Sequence, residues 1–223
     1  MQPNLAEMDE FNKARGGPSD VAKFGEDAFW QERYARGASS FEWFLPLADV
    51  LEQSPPFKAL LQSRVAGKAK LLEIGCGTSE LLENLWDMGF RSVTGLDNQA
   101  TALEFCRKRQ GERRIEYVEG NMVQMPFGAA AFDVVVDKGA LDALVCRGGD
   151  DLAKCGAELW RVLKPAPTSV LIVISNAPLD EIPSGLKPWF QKEQMTLIKN
   201  SAVGQYMAKL YLFSRRKTAL KSN

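Results

Sequence analysis

The sequence predicts an α/β fold in which a mostly parallel sheet of seven strands carries helices on both faces. Strand-like and helix-like segments alternate from residue 69 onward, and the run Phe132–Asp137 has the β-branched composition of a buried central strand. Gly75 and Gly77 form a turn between the first strand and the helix that follows it. Alternation of this kind is typical of parallel sheets whose connecting helices pack on both sides.

The N-terminal part divides into a tail and a helical segment. Residues 1–24 are polar and include two glycines and a proline, so we expect a loose tail. Residues 25–66 are rich in aromatic side chains, and their helical pattern breaks at Gly37 and at Ser54–Pro56. We therefore expect a helical cap over 25–66.

The sheet core is expected between residues 67 and 214, and 25–223 is expected to form a single domain. A short turn near Gly204 would join the last two strands and make the sheet mixed. Residues 215–223 are predicted to be a basic, solvated tail. The predicted strands are 69–74, 92–97, 115–119, 132–137, 170–174, 195–199 and 207–213, and the predicted helices are 79–88, 99–109 and 151–163.

Composition limits the classes of partner. A chain of 223 residues with 45% hydrophobic and 25% charged residues is ordinary for one globular core. Because 28 basic residues balance 28 acidic ones, no global field favours nucleic acid or an anionic membrane. The N-terminus lacks a signal-peptide pattern, and no apolar run approaches the ~18 residues of a membrane span. We expect a soluble, cytoplasmic protein, and the sequence leaves its oligomeric state open.

The chain has four cysteines without a C-x-x-C pair and no histidine. This composition excludes Cys/His zinc sites, a Ser-His-Asp triad and a histidine base. We therefore expect no metal, and we expect the cysteines to be reduced, small apolar side chains.

The run from Leu71 to Asp97 has the order of a nucleotide-binding unit. Glycines at such a turn adopt positive φ and let a ligand approach the backbone closely. Asp97, at the end of the next strand, is placed to accept hydrogen bonds from two ribose hydroxyls.

The turn differs from the dinucleotide pattern because Glu80 stands at the place of the third glycine. A carboxylate there would repel a pyrophosphate. Together with Glu73, it favours a ligand with a cationic end, such as a sulfonium and its amino group. The residues thus favour S-adenosylmethionine over NAD.

Several segments carry a family resemblance. L-L-E-I-G-C-G, V-T-G-L-D, G-N-M and F-D-V-V-V-D-K-G resemble the successive motifs of class I S-adenosylmethionine-dependent methyltransferases. More narrowly, F-W-Q-E-R-Y, F-E-W-F and D-K-G-A-L-D-A-L resemble a methyltransferase-like subgroup that includes lysine methyltransferases of elongation factor 1-alpha. The resemblance covers about residues 29–175 and implies a Rossmann-like methyltransferase sheet.

The resemblance also implies which residues contact the cofactor. In chain order, these are the aromatic residues Trp30, Tyr34 and Trp43 above the cofactor, Glu73, Gly75, Cys76 and Gly77 at its methionine part, Asp97 and Asn98 at its ribose and adenosine side, Asn121 and Met122 at its adenine, and Asp137 and Lys138 beside it. Asn121 departs from many relatives, which have an acid there, but its carbonyl oxygen can still accept a bond from the exocyclic amine. A further departure is Pro165–Pro167, where relatives usually carry a glycine turn.

Each of these assignments has a structural alternative. The aromatic residues could attach the helical cap to the sheet, Asp137 could cap the following helix, and Lys138 could be solvated. Asp137 and Asp142 are also candidate acids for orienting a substrate, and the sequence indicates no obligatory catalytic base.

Three functions follow from these observations. The first is methyl transfer to a protein lysine, with a translation elongation factor as the candidate partner. The second is methyl transfer to a small molecule, and the third is a non-catalytic S-adenosylmethionine-binding scaffold. The sequence does not identify the acceptor, since fold alone does not determine a substrate.

Overall fold

The computed structural model describes residues 21–66, 68–199 and 206–219. A 3-10 helix spans Val21–Gly25. The α-helices are α1 (Asp27–Ala35), α2 (Leu47–Gln53), α3 (Pro55–Ala66), α4 (Leu81–Asp87), α5 (Ala100–Arg109), α6 (Ala140–Arg147), α7 (Asp151–Val162) and α8 (Glu181–Leu186). The strands are β1 (Lys70–Ile74), β2 (Ser92–Asp97), β3 (Glu116–Glu119), β4 (Val134–Lys138), β5 (Val170–Ser175), β6 (Phe190–Lys199) and β7 (Tyr206–Arg215). None of the helices within these ranges is long and apolar enough to cross a membrane.

The seven strands form one sheet in the order β3-β2-β1-β4-β5-β7-β6. Neighbouring strands from β3 to β5 are parallel, whereas β7 runs antiparallel to both β5 and β6. The prediction of a seven-stranded, mostly parallel sheet is therefore confirmed. The carboxyl ends of β1, β2 and β4 lie side by side, and ligands of open α/β sheets bind at these ends.

Apolar side chains leave the central strands alternately on both faces. Leu71 pairs with Val134, and both belong to the core on one face. Leu72 pairs with Val135, and both belong to the core on the other face. Because each face is covered, successive residues are all buried, and β4 and β5 consist entirely of buried residues.

The helices follow from local patterns in the sequence. In α7 the buried residues Cys155, Leu159 and Val162 recur at helical spacing, and the helix ends shortly before Pro165. The helix α3 begins at Pro55, where the fixed φ of proline suits a first helical position.

Two helical segments and the start of one strand differ from the sequence prediction. Val21–Gly25 is helical inside the predicted tail, and α8 forms although it contains Pro183 and Gly185. The strand β6 starts at Phe190 and not at residue 195. After the buried Phe190, residues 191–193 are polar and exposed at the sheet edge, so no apolar run predicts a strand there. Residues 1–20, the turn near Gly204 and residues 220–223 lie outside the described residues.

The predicted basic tail begins as part of the folded sheet, which corrects the sequence prediction for its two arginines. Arg215 is the last residue of β7, and its guanidinium lies 3.9 Å from the Trp160 ring centroid. Arg216 donates hydrogen bonds to the carbonyl oxygens of Lys187 and Phe190. Cation–π stacking and backbone acceptors hold both side chains on the surface, whereas Lys217 is exposed.

The core packing predicts a large difference between two leucines. Leu159 is fully buried on α7, whereas Leu197 on the edge strand β6 is 42% exposed. We expect Leu159→Ala to lower the free energy of unfolding by about 2–5 kcal/mol because it leaves a cavity. Leu197→Ala, the matched control, should change it by less than about 0.5 kcal/mol. Urea unfolding of both variants measures the difference, and similar losses would contradict the packing.

Candidate functional site

A cleft with about 910 Å³ of empty space, part of it open to solvent, lies at the carboxyl ends of β1, β2 and β4. The segment from Asp27 to Trp43 covers one side of it. Every residue that the family resemblance assigns to the cofactor lines the cleft except Asp137. Glu80, which the sequence analysis also expected to favour a cationic ligand, is exposed and does not line the cleft. The tertiary structure thus brings together side chains from five separate parts of the chain.

The glycine turn after β1 forms the floor of the cleft. Gly75 and Gly77 have φ of 57° and 49°, in the left-handed region that favours glycine. A Cβ on Gly75 would lie 2.3 Å from Cβ of Ala140, and one on Gly77 would lie 2.6 Å from the Tyr34 hydroxyl oxygen. The turn therefore packs too closely against α6 and α1 to accept any larger residue.

Asp97 holds this turn from the end of β2. Its Oδ2 accepts a hydrogen bond from the amide of Gly77 at 2.7 Å, and its Oδ1 accepts one from the amide of Gln99 at 2.9 Å. Burial raises the pKa of Asp97, and these amides oppose the shift. Each carboxylate oxygen can accept a further bond, so Asp97 can also receive the hydroxyls of a ribose.

Glu73 is the last carboxylate before the turn, and it is only 1% exposed. Its Oε2 has no hydrogen-bond partner within the described part of the chain. Burial raises the pKa of Glu73 well above its usual range, and the nearby Glu42 raises it further, while Lys138 opposes the shift. A buried, unpartnered carboxylate in a cleft wall fits a ligand with a cationic group.

Aromatic rings of the helical cap pack on one another and also line the cleft. Trp30 stacks on Tyr34 with ring centroids 6.2 Å apart, and Trp43 meets Phe41 edge-on at 4.9 Å. The Trp30 indole donates a hydrogen bond to the carbonyl of Phe24. The same rings therefore hold the cap segments together and line the cleft. Burial raises the pKa of the Tyr34 hydroxyl, so this phenol stays protonated at neutral pH.

Lys138 is not a solvated lysine, because its side chain is 2% exposed and forms an ion pair with Glu42. Sequence reasoning missed Glu42 as a part of this site. The available signal was an acidic residue inside the aromatic segment Phe41–Phe44, where a charge is otherwise unexpected.

Asp27 and Arg147 also line the cleft and were missed. The Arg147 guanidinium donates to Oδ1 of Asp27 at 2.6 Å and to the carbonyl of Gly25 at 2.7 Å. The Asn98 side chain donates to the same Asp27 oxygen at 3.1 Å. These contacts join distant parts of the sequence, so no local motif predicts them.

Asn121 lies at the cleft, but its side chain also stabilises the turn that contains it. Its Oδ1 accepts a hydrogen bond from the amide of Val123 at 3.0 Å. An adenine amine would share this oxygen, which has a second lone pair. Met122 lines the cleft beside it and is half-buried.

The two candidate acids for substrate orientation lie outside the cleft wall. Asp137 is fully buried, and its Oδ1 accepts the Leu141 amide at 2.9 Å. Asp142 accepts bonds from the Ser175 hydroxyl and the Asn176 amide at 2.5 and 2.8 Å. This geometry favours the alternative of a helix-capping Asp137 and gives Asp142 a role in joining α6 to the end of β5. Substrate contact by either acid stays a prediction.

The fold agrees with the comparisons. A family model described as a methyltransferase domain matches residues 72–170. Solved structures with a similar fold include the PH0226 protein of Pyrococcus horikoshii, with a TM-score of 0.61 and 19% identity over 82% of this chain and 99% of that one. Another is the N-methyltransferase NodS of Bradyrhizobium japonicum in complex with S-adenosyl-L-homocysteine, with a TM-score of 0.58 and 17% identity over 84% and 98% of the two chains. These findings support a class I S-adenosylmethionine-dependent methyltransferase and indicate S-adenosylmethionine as the cofactor.

Within this class, the chain is similar to proteins named eEF1A lysine and N-terminal methyltransferase. The mouse protein is 33% identical over 167 residues and the human protein 31%. Each match covers 72% of this chain and 23% of the relative, so the chain spans less than a quarter of the length of these relatives. Methyltransferase srdJ of Neurospora crassa is 27% identical over 66% of this chain and 65% of its own length.

The glycine turn predicts a specific clash. We expect Gly77→Ala to lower the free energy of unfolding by about 1–2 kcal/mol for its left-handed φ, plus a further loss from contact with Tyr34. Gly111→Ala is the matched control, since φ there is +64° and no described atom lies within 4 Å of the added Cβ. In the Gly77→Ala background, Tyr34→Phe should restore part of the stability. Equal losses for the two glycines in urea unfolding would disprove the clash.

The burial of Asp142 predicts a pH dependence of stability. Burial raises the pKa of Asp142 from 3.8 to about 6. Between these values the folded chain binds a proton that the unfolded chain does not, so the contribution of Asp142 to stability decreases as pH rises.

We therefore expect the stability of Asp142→Asn relative to the wild type to increase from pH 4 to 6, by at most about 1.4 kcal/mol per pH unit. Chemical unfolding across this range measures the change. The exposed Asp49→Asn serves as the control, and a difference between Asp142→Asn and the wild type that is constant with pH would contradict the assignment.

Proposed function

We propose that this protein is an active S-adenosylmethionine-dependent methyltransferase that modifies a lysine side chain of a protein, with a translation elongation factor as the candidate substrate. The observation that carries the cofactor part is the unpartnered Glu73 carboxylate in the wall of a cleft that also contains Asp97. The lysine part is supported by the relatives named eEF1A lysine and N-terminal methyltransferase. Because translation elongation takes place in the cytoplasm, we propose that location for the activity.

The two ends of the cleft suit the two ends of the cofactor. Asp97 has acceptor capacity left for ribose hydroxyls, and Glu73 is a buried carboxyl group whose ionised form an ammonium or a sulfonium would stabilise. The glycine turn between them lets the ligand lie against the backbone. Asn98, Asn121 and Met122 continue the cleft beyond Asp97 and are proposed to hold the adenine side.

When bound, S-adenosylmethionine supplies a methyl group on a sulfonium for direct displacement by a nucleophile. The chain itself must align the acceptor and exclude water. Trp30, Tyr34 and Trp43 provide an apolar side of the cleft for both tasks.

A lysine acceptor must lose its proton before it can attack. With a reference pKa of about 10.4, a neutral amine at pH 7 costs about 4.6 kcal/mol. Burial among aromatic rings lowers the pKa of an amine and reduces this cost. Since the sequence has no histidine, we propose that the proton leaves to water.

Two other functions give different outcomes in one experiment. A small-molecule methyltransferase would use the same cofactor site, and a scaffold protein would bind the cofactor without transfer. Purified protein is incubated with a cell extract and methyl-labelled S-adenosylmethionine, and the products are separated into proteins and small molecules. Purified elongation factor 1-alpha, unmethylated from bacterial expression, is tested in parallel.

We expect label on lysine in a protein, with the elongation factor as a labelled species. Label in small molecules alone would contradict a protein substrate. Binding without any transfer would support the scaffold, and absence of binding would reject all three functions.

Asp97→Ala provides the loss-of-binding control. Removal of two hydrogen bonds to a charged acceptor should weaken S-adenosylmethionine binding by at least about 100-fold and abolish labelling. Calorimetry with S-adenosylmethionine and with NAD measures this, and only S-adenosylmethionine should bind the wild type. The exposed Asp49→Ala is expected to bind like the wild type. Unchanged affinity in Asp97→Ala would place the ribose elsewhere.

A further inference from the structure

One carboxylate of the helical cap contacts both sides of the cleft floor. Glu42 forms an ion pair with Lys138, the last residue of β4. Its other oxygen accepts hydrogen bonds from the Ser79 hydroxyl, at 3.0 Å, and from the backbone amide of Glu80. A single side chain thus joins the cap, the end of the glycine turn and the central strand.

The burial of these groups makes the loss of either partner costly. The Lys138 side chain is 2% exposed and that of Glu42 20%. A second connection of the cap, between Asp27 and Arg147, has side chains 58% and 31% exposed. Exposed ion pairs contribute little, whereas loss of one partner from a buried pair leaves an uncompensated charge. Of these two described ion pairs, the one between Glu42 and Lys138 is therefore the one whose loss should affect the cap more.

The neighbours of Glu42 link this connection to the cleft. Phe41 and Trp43 both line the cleft, whereas Glu42 is not among the lining residues. Next to Glu42, the amide of Phe41 also donates a hydrogen bond to the carbonyl of Thr78, at 3.4 Å. The position of the two rings thus depends on the contacts of the residue between them.

We infer that Glu42 is a positioning residue, which holds Phe41 and Trp43 against the cleft and keeps Lys138 at its wall. The inference rests on the proposed function, since the cofactor is the ligand whose affinity would depend on this position. A chain whose cap is released binds only in the fraction of molecules that have the cap in place, so its apparent affinity falls by that fraction.

Glu42→Ala tests the inference, with Glu52→Ala as the matched control because Glu52 is exposed on α2. Calorimetry well below the unfolding temperature should give at least about tenfold weaker S-adenosylmethionine binding for Glu42→Ala, as expected if the cap is in place in about one molecule in ten. Glu42→Gln keeps an oxygen for Ser79 and Glu80 and should recover part of the affinity.

Limited trypsin digestion gives a second readout that needs no cofactor. Cleavage at Arg33 and Arg36, both in or next to α1, should be several-fold faster in Glu42→Ala than in the wild type and in Glu52→Ala. If Glu42→Ala does not fold, Glu42→Gln combined with Lys138→Met removes both charges together and avoids an unpaired buried lysine. Its cleavage should also be faster than that of the wild type.

A lower unfolding temperature with unchanged affinity and unchanged cleavage would overturn the inference and leave Glu42 a purely stabilising residue. A wild-type chain that binds no S-adenosylmethionine would reject the proposed function. The cleavage rates would in that case still decide whether Glu42 holds the cap.

Discussion

The contact between Asp97 and the glycine turn is the constraint on which the rest of the site depends. The carboxylate at the end of β2 accepts the amide of Gly77, so the turn after β1 is held against the neighbouring strand. Positive φ at Gly75 and Gly77 lets the backbone reverse there, and the absence of Cβ atoms lets α6 and Tyr34 approach it. Sheet, cap and cleft therefore meet at one turn that only glycine can form.

Buried charge around this turn gives the cleft its preference for a ligand. Glu73 and Asp97 are carboxylates with raised pKa, and Lys138 is engaged by Glu42. Burial of an unpartnered carboxylate costs free energy that a cationic ligand can return. The buried carboxylates, which cost free energy while the site is empty, thus favour binding of a sulfonium compound over a dinucleotide with its anionic pyrophosphate.

Local patterns predicted the sheet and the floor of the cleft from particular residues. Adjacent residues were enough to predict the strand β4, from its apolar run, and the turn after β1, from its glycines. The residues proposed for the cofactor lie at the ends of these strands. The polar strand β6 and the proline-containing α8 were missed in part or whole because tertiary contacts override weak local preference there. Arg215 and Arg216 were expected in solvent because a charge cluster gives no sign of an aromatic ring and backbone acceptors from other elements.

The sequence by itself determined the succession of strands and helices along the chain, the glycine turn, the acidic residue at the end of β2 and the class of cofactor. These features depend on neighbouring residues, whose spacing decides backbone conformation and side-chain placement. Only the tertiary structure decided that Glu42 pairs with Lys138, that Arg147 holds Asp27, and that Asp137 and Asp142 lie behind the cleft wall. Such contacts join residues far apart in the chain, and burial, which sets their strength, exists only once the sheet and its cap have packed together.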